Sequence, residues 1–275
     1  LYIAGWLHDC GKVATPVHVV DKSTKLETIY DRIENVQTRF EILKRDAEID
    51  FLKQKIECVK NANEKQFEKI ESKFKDQLNQ LEDDLTFVEK SNFGGEFMEE
   101  SDQDRIKNIG KYKWNYKGED KPFLSELEVR NLTIPKGTLL PEERQIINDH
   151  IVITIDMLEQ LPYPKKLRNV PEFAGGHHER LDGKGYPKGL TADQMSPQAK
   201  IMAIADIFEA LTADDRPYKD GKKLSKAMRI MGYFRDDYHI DEGLFEIFVK
   251  EKIYKKYADE YVKPEQLDEF DEQSV

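Results

Sequence analysis

From Asp21 to Phe93 the chain contains neither proline nor glycine, the two residues that most readily interrupt a helix. Within that stretch apolar side chains recur as Ile29, Ile33, Val36, Phe40, Leu43, Ala47 and Phe51. A second series runs Phe67, Ile70, Phe74, Leu78, Leu81, Leu85 and Val88. Steps of mostly three and four, filled between by Glu, Lys, Asp and Gln, are the pattern of a coiled coil. One straight helix from Leu26 to Lys90 would extend about 100 Å at the helical rise. The chain would then need nearly every following residue to return. The spacing therefore predicts two antiparallel helices that turn near Asn61-Ala62-Asn63.

This block divides the chain into three zones: residues 1–20, an inserted segment 21–124, and residues 125–275. The end of the insert, with Gly94-Gly95, Gly110 and Gly118, reads as irregular chain around one short helix near Asp102–Ile109. The third zone opens on a helix with Pro141 in its first turn and Glu142 and Glu143 at the positive end of the dipole. Ile147, His150, Ile151, Leu158 and Leu161 mark its inward face, and Pro162 and Pro164 end it. A second helix, about Pro197 to Ala213, is apolar nearly all round, which predicts burial. Further helices are expected at Leu224–Phe234, Asp241–Lys250 and Ile253–Val262. Strand signals are confined to short pieces near Val17–Val20 and Leu132–Ile134. The expected fold class is all-α.

A net charge of -11 argues against a surface for nucleic-acid polymers. No apolar run approaches the roughly 20 residues needed to span a bilayer, so no membrane contact is expected within this piece. Cys10 and Cys58 supply no disulfide framework, which fits a reducing cytoplasm. The chain opens on Leu-Tyr-Ile-Ala-Gly-Trp-Leu, already helical in character, and reads as a piece of a longer protein.

Four of the six histidines fall in chemical clusters or on a helix between them. His8-Asp9 begins His-Asp-Cys-Gly-Lys, and His177-His178-Glu179 leads into Asp182-Gly183-Lys184-Gly185-Tyr186-Pro187. Adjacent side chains do not share one face of a helix or strand. Two neighbouring imidazoles therefore suit two metals side by side better than one. Asp206 lies on the apolar helix, where an ionised carboxylate costs several kcal/mol unless it is paired or metal-bound. The alternatives are an ion pair with Arg216 or Arg229, or a hydrogen bond to a helix cap. Gly183 and Gly185 mark a tight loop. His18 and His239 stand outside every cluster and are expected at the surface.

His8-Asp9-x-Gly11-Lys12, then His150, then His177-His178-Glu179-x-x-Asp182-Gly183-x-Gly185-Tyr186-Pro187, then Asp206 and Arg216-Pro217-Tyr218-Lys219 resembles the HD-GYP phosphodiesterases. The resemblance covers Leu1 to about Pro16 and about Glu126 to Tyr257, and leaves out the segment between. It implies an HD-domain helical bundle, composed of residues 1–20 and 125–275 and interrupted by the hairpin. It further implies two or three divalent metal ions, iron or manganese, held by His8, Asp9, His150, His177, His178 and Asp206. Asp9 would bridge the metals, with Lys12 close by. Lys12, Asp182, Gly183, Tyr186, Arg216 and Lys219 would contact the substrate. Ala213-Asp214-Asp215 makes the approach to Arg216 one residue longer than the common family form.

The implied reaction is hydrolysis of cyclic di-GMP to the linear dinucleotide pGpG, GMP or both, by a water held between the metals. Two other functions stay open. One is a non-catalytic module that binds a cyclic dinucleotide or a protein, including a second copy or a signalling partner, through the coiled coil or the Gly-Tyr-Pro loop. The other is an HD phosphohydrolase acting on another nucleotide. HD enzymes usually take a further histidine from a helix well before the His-Asp pair. With only seven residues before His8, this piece is expected to lack it and to be inactive if that ligand is essential.

Overall fold

The computed structural model describes residues 1–61, 64–95, 97–214 and 221–270. The helices in chain order are α1 (Tyr2–Leu7), α2 (Val17–Val20), α3 (Ile33–Lys60), α4 (Glu64–Asn92) and α5 (Glu100–Gly110). Strands β1 (Lys113–Tyr116) and β2 (Glu119–Pro122) follow, then α6 (Glu126–Leu132), α7 (Pro141–Asn148), α8 (His150–Glu159) and α9 (Val170–Gly175). The chain ends with α10 (Pro197–Thr212), α11 (Leu224–Asp236), α12 (Glu242–Lys250) and α13 (Ile253–Tyr261). Among the described residues the fold is all-α apart from one two-stranded sheet. No described helix is long and apolar enough to cross a membrane. The chain forms two compact units, Leu1–Pro16 with Gln145–Val275, and Val17–Arg144.

In the second of these, α3 and α4 pack against each other as an antiparallel pair. Val36, Phe40, Leu81 and Val88 are buried together with Leu26, Ile106, Ile109, Phe123 and Leu132. Near the far end Phe51 stacks on Phe74 with ring centroids 4.6 Å apart. Asn61 ends α3, while Ala62 and Asn63 of the expected turn lie outside the described residues. Several buried polar groups in this unit are paired, as a low-dielectric interior favours. Asp84 receives Arg105 at 2.8 Å and the Tyr112 hydroxyl at 2.7 Å. Arg39 meets Glu128 at 2.6 Å, and Glu128 also closes a capping box with Ser125 at the start of α6.

Four local expectations are corrected. Val17–Val20 is the short helix α2, and Leu132 ends helix α6 rather than starting a strand. The strands lie instead at Lys113–Tyr116 and Glu119–Pro122, in the segment read as irregular. Lys117 and Gly118 take positive φ of 54° and 84° and make a two-residue hairpin turn. The signal was weak because each strand has only four residues and Glu-Asp-Lys-Pro has little strand preference. The helix expected to run on from Pro141 is broken at Asp149 into α7 and α8, and Leu161 lies exposed beyond its end.

The other unit assembles around α8, α9 and α10. Ala4, Leu158, Val170 and Ala174 form a small core joining α1, α8 and α9. A larger one, with Ile204, Phe208, Met228, Met231, Phe245 and Phe248, joins α10 to α11 and α12. Ser196 caps α10 by accepting from the Ala199 amide at 3.2 Å, and Pro197 follows at its first position. His239 is half-buried against Phe234 rather than free at the surface, with ring centroids 4.8 Å apart. His18 is exposed as expected.

Candidate metal centre

Four separate pieces of chain meet in the first unit. His8 caps the C-terminus of α1, and Asp9 precedes a tight 3-10 turn over Cys10–Ala14. That turn lies against the first turn of α8, where His150 is the opening residue. A Cβ on Gly11 would come within 2.0 Å of the His150 carbonyl oxygen and 2.7 Å of the Thr154 amide nitrogen. Only glycine lets the two backbones approach so closely. His177 and His178 follow the end of α9, and Asp206 stands midway along α10.

Donor atoms of Asp9, His150, His177 and His178 all lie within 4.8 Å of one another, as do those of His8, His177 and Asp206. His177 belongs to both groups. His177 and His178 can contribute to one group because they lie in a turn, where the divergence of neighbours on a helix or strand does not apply. His150 Nε2 is 3.1 Å from Asp9 Oδ1, and His177 Nε2 is 3.8 Å from the same oxygen. His8 Nε2 stands 3.5 Å from both Asp9 Oδ2 and Asp206 Oδ1. Asp206 therefore faces His8, not Arg229.

The rings are oriented through their other nitrogens. Nδ1 of His8 meets the Gly5 carbonyl at 2.7 Å, that of His177 meets Ala174 at 2.5 Å, and that of His150 meets Ile147. A neutral ring must donate there, which leaves the Nε2 lone pair directed inward. Asp9 Oδ1, His150 Nε2 and His177 Nε2 are all buried without a hydrogen-bond partner. Lone pairs of one carboxylate and two imidazoles gathered this closely, away from water, favour a shared cation. Mixed imidazole and carboxylate donors suit a divalent transition metal, so the cluster can hold metal ions.

Electrostatics favour the ligating forms of Asp9, His177 and His178, whereas at His8 the neighbouring carboxylates favour the protonated ring. Burial pushes the His177 pKa down, and that of His178 down to about 3, so both rings are neutral near pH 7. Burial works to raise the Asp9 carboxyl, yet His150 and Lys12 together hold it well below the usual carboxylate range. His8 is raised, first by Asp206. The Lys12 ammonium donates to Asp9 Oδ2 and stays partly open to solvent.

The comparison with known families covers three of these four pieces, those of His150, of His177 and His178, and of Asp206. Residues 127–244 match the model of the HD domain. A cyclic di-GMP phosphodiesterase of Pseudomonas aeruginosa is 45% identical over 74 residues, covering 27% of this chain and 17% of the relative. A cyclic di-GMP phosphodiesterase of Thermotoga maritima is 39% identical over 98 residues, covering 36% and 26%. A 3'3'-cGAMP-specific phosphodiesterase of Vibrio cholerae is 37% identical over 109 residues, covering 39% and 23%. Residues 127–244 therefore carry an HD domain, and segments of the chain are similar to cyclic-dinucleotide phosphodiesterases. The matches span about a quarter or less of the length of these three relatives.

The loop over Asp182–Pro187 is anchored at several points. Tyr186 stacks on His178 with centroids 4.8 Å apart, and its amide donates to the His178 carbonyl at 3.2 Å. Gly183 takes a positive φ of 75°. A Cβ on Gly185 would fall 2.3 Å from the Arg180 nitrogen. Asp182 faces Arg180, at 3.0 and 2.9 Å, and accepts the Lys184 amide at 3.1 Å, so in this structure it fastens the loop. Arg216 and Lys219 lie outside the described residues.

Two buried residues of this site carry no sequence signal of their own role. Glu179 accepts the amides of Lys188 at 2.7 Å and Leu190 at 2.9 Å, closing the loop beneath Tyr186. Thr154 accepts the Gly11 amide at 2.9 Å. The motif contains Glu179, but only the fold shows that its two oxygens are taken by backbone. Thr154 lies in an ordinary apolar helix stretch and could not have been found from sequence.

Proposed function

We propose that this chain is the catalytic portion of a metal-dependent phosphodiesterase that hydrolyses guanine-containing cyclic dinucleotides, cyclic di-GMP foremost, to pGpG, GMP or both. The observation that carries the reading is the pair of donor groups sharing His177, with three buried donor atoms lacking any other partner. Names among the relatives divide between cyclic di-GMP and 3'3'-cGAMP, which supports a bis-purine cyclic dinucleotide and leaves the second base to experiment. The reading places the enzyme in the cytoplasm, where such nucleotides act as signals.

His8, Asp9, His150, His177, His178 and Asp206 would hold two or three divalent cations, with iron or manganese suited to the donor set. Bound there, the cations would supply Lewis acidity toward a phosphate oxygen and a more acidic water. The protein's own part is orientation and charge. The carbonyl-tethered imidazoles present Nε2 without losing rotational entropy on binding, and Lys12 offers a partly exposed ammonium to a substrate phosphate beside Asp9. Tyr186, flat on His178, would form one wall against which a purine can lie.

The test is elemental analysis of anaerobically purified protein, joined to chromatographic assay of cyclic di-GMP and 3'3'-cGAMP cleavage, with Asp9→Ala as control. At least two ions per chain and Asp9-dependent cleavage support the reading. Bound metal without cleavage of either nucleotide, in this chain and in one extended upstream, overturns it in favour of a binding module.

A further inference from the structure

Asp9 occupies the N-cap position of the 3-10 turn Cys10–Ala14, yet its side chain makes no capping hydrogen bond. At the start of an α-helix an aspartate in that position ordinarily accepts the amide of the second or third residue, because those donors have no partner within the helix. Here the third amide, on Lys12, donates to the Asp9 backbone oxygen at 2.9 Å. The second, on Gly11, donates to Thr154 Oγ1 at 2.9 Å, a contact across 143 residues of sequence. Thr154 is 0% exposed, so no water can take over that bond.

We propose that Thr154 is a positioning residue that caps the His-Asp turn in place of Asp9 and so frees the Asp9 carboxylate to face the histidine cluster. Both Asp9 oxygens are committed there. Oδ1 lies 3.1 Å from His150 Nε2, and Oδ2 accepts from Lys12. Without the threonine hydroxyl, the buried Gly11 amide would lack an acceptor, and an unmade buried bond is costly. The Asp9 carboxylate, at the N-cap of the same turn, is chemically able to repair it, at the expense of its place in the cluster. The same hydroxyl fixes the turn onto α8 one helical turn after His150, so the two donors are set by a single contact. The lack of a side chain on Gly11 follows from the same geometry, since a Cβ there would stand 2.7 Å from Thr154 Oγ1.

This inference rests on reading the cluster as a metal centre, and its test separates the two. Thr154→Val removes the hydroxyl at nearly constant shape, while Thr154→Ser restores an acceptor. Cobalt(II) affinity is measured by chelator competition, the cobalt absorption spectrum is recorded, and the metal-free Thr154→Val protein is crystallised. The expected result is at least about tenfold weaker cobalt binding and an altered spectrum in the Val variant, with the Ser variant close to the parent. In the crystal, the Asp9 carboxylate should turn to the Gly11 amide. An Asp9 carboxylate that stays on the cluster in Thr154→Val overturns the proposal, whatever the cobalt affinity. A parent protein that takes no cobalt overturns the metal reading instead, and the crystal structure still decides the role of Thr154. Should the Val variant fail to fold, Thr154→Ala is read by the same criteria.

Discussion

The Tyr186 ring lies against the His178 imidazole, with centroids 4.8 Å apart and planes inclined by only 19°. This contact ties the Gly-Tyr-Pro loop to a residue of the cluster that can hold metal ions. Replacing Tyr186 with Ala should lower kcat/KM for cyclic dinucleotide cleavage about tenfold, equivalent to about 1.4 kcal/mol. Tyr186→Phe keeps the stacked face and should lose much less. Equal losses in steady-state kinetics would assign the effect to the hydroxyl instead.

Asp9 contributes to the larger donor group and sits 3.5 Å from His8 as well. Asp9→Asn should strip bound metal to below one ion per chain by elemental analysis while leaving the helical content intact by circular dichroism. Retention of the full metal complement would remove Asp9 from the ligand set.

Gly11→Ala places a methyl group against the backbone of α8, where the neighbouring atoms cannot rotate away. Overpacking of this kind should cost about 1–3 kcal/mol or more. The thermal midpoint of the metal-free chain should fall by several degrees, and metal uptake should weaken with it. A Gly11→Ala protein with an unchanged melt would mean that the 3-10 turn does not press on α8 in solution.

Lys25, only 2% exposed, donates to the carbonyls of Leu132 at 3.1 Å and Ile134 at 2.7 Å. Burial lowers its pKa from 10.5 to about 8. Between those values the unfolded chain binds the proton and the folded chain does not, so stability rises as pH increases from 8 toward 10.5. The slope is at most about 1.4 kcal/mol per pH unit. Above pH 10, Tyr112, raised to about 12 by burial and by Asp84, acts in the opposite direction. Urea titrations at pH 8 and pH 10 should show the rise in the parent, and Lys25→Met should flatten it. A parent without the rise would mean that Lys25 is hydrated.

Much of the helical layout was legible because amphipathic periodicity is a local record of which face is buried. The spacing from Ile33 to Phe51 and from Phe67 to Val88 marked the two long helices, and the Pro141 and Pro197 starts marked α7 and α10 within the residues they open. Short exposed strands left no such record. Lys113–Tyr116 and Glu119–Pro122 pair only with each other, and no buried face imposed alternation on them. The break at Asp149 was also invisible, since apolar spacing continues through it from Ile147 to Ile151.

The sequence by itself determined which chemical groups are present: two short histidine clusters, a lone His150, a carboxylate on an apolar helix, and glycines in a motif order. It also carried the resemblance to the HD-GYP phosphodiesterases, since motif order is a property of the chain. Only the tertiary structure decided that Nε2 rather than Nδ1 faces inward, because the carbonyls of Gly5, Ile147 and Ala174 take the other nitrogen. Only it brought Thr154 to the Gly11 amide, committed Glu179 to Lys188 and Leu190, and turned Asp182 toward Arg180. The physical reason is range. Helix periodicity and motif composition are set by near neighbours, whereas the direction of a donor atom is set by whichever distant backbone group packing places beside it.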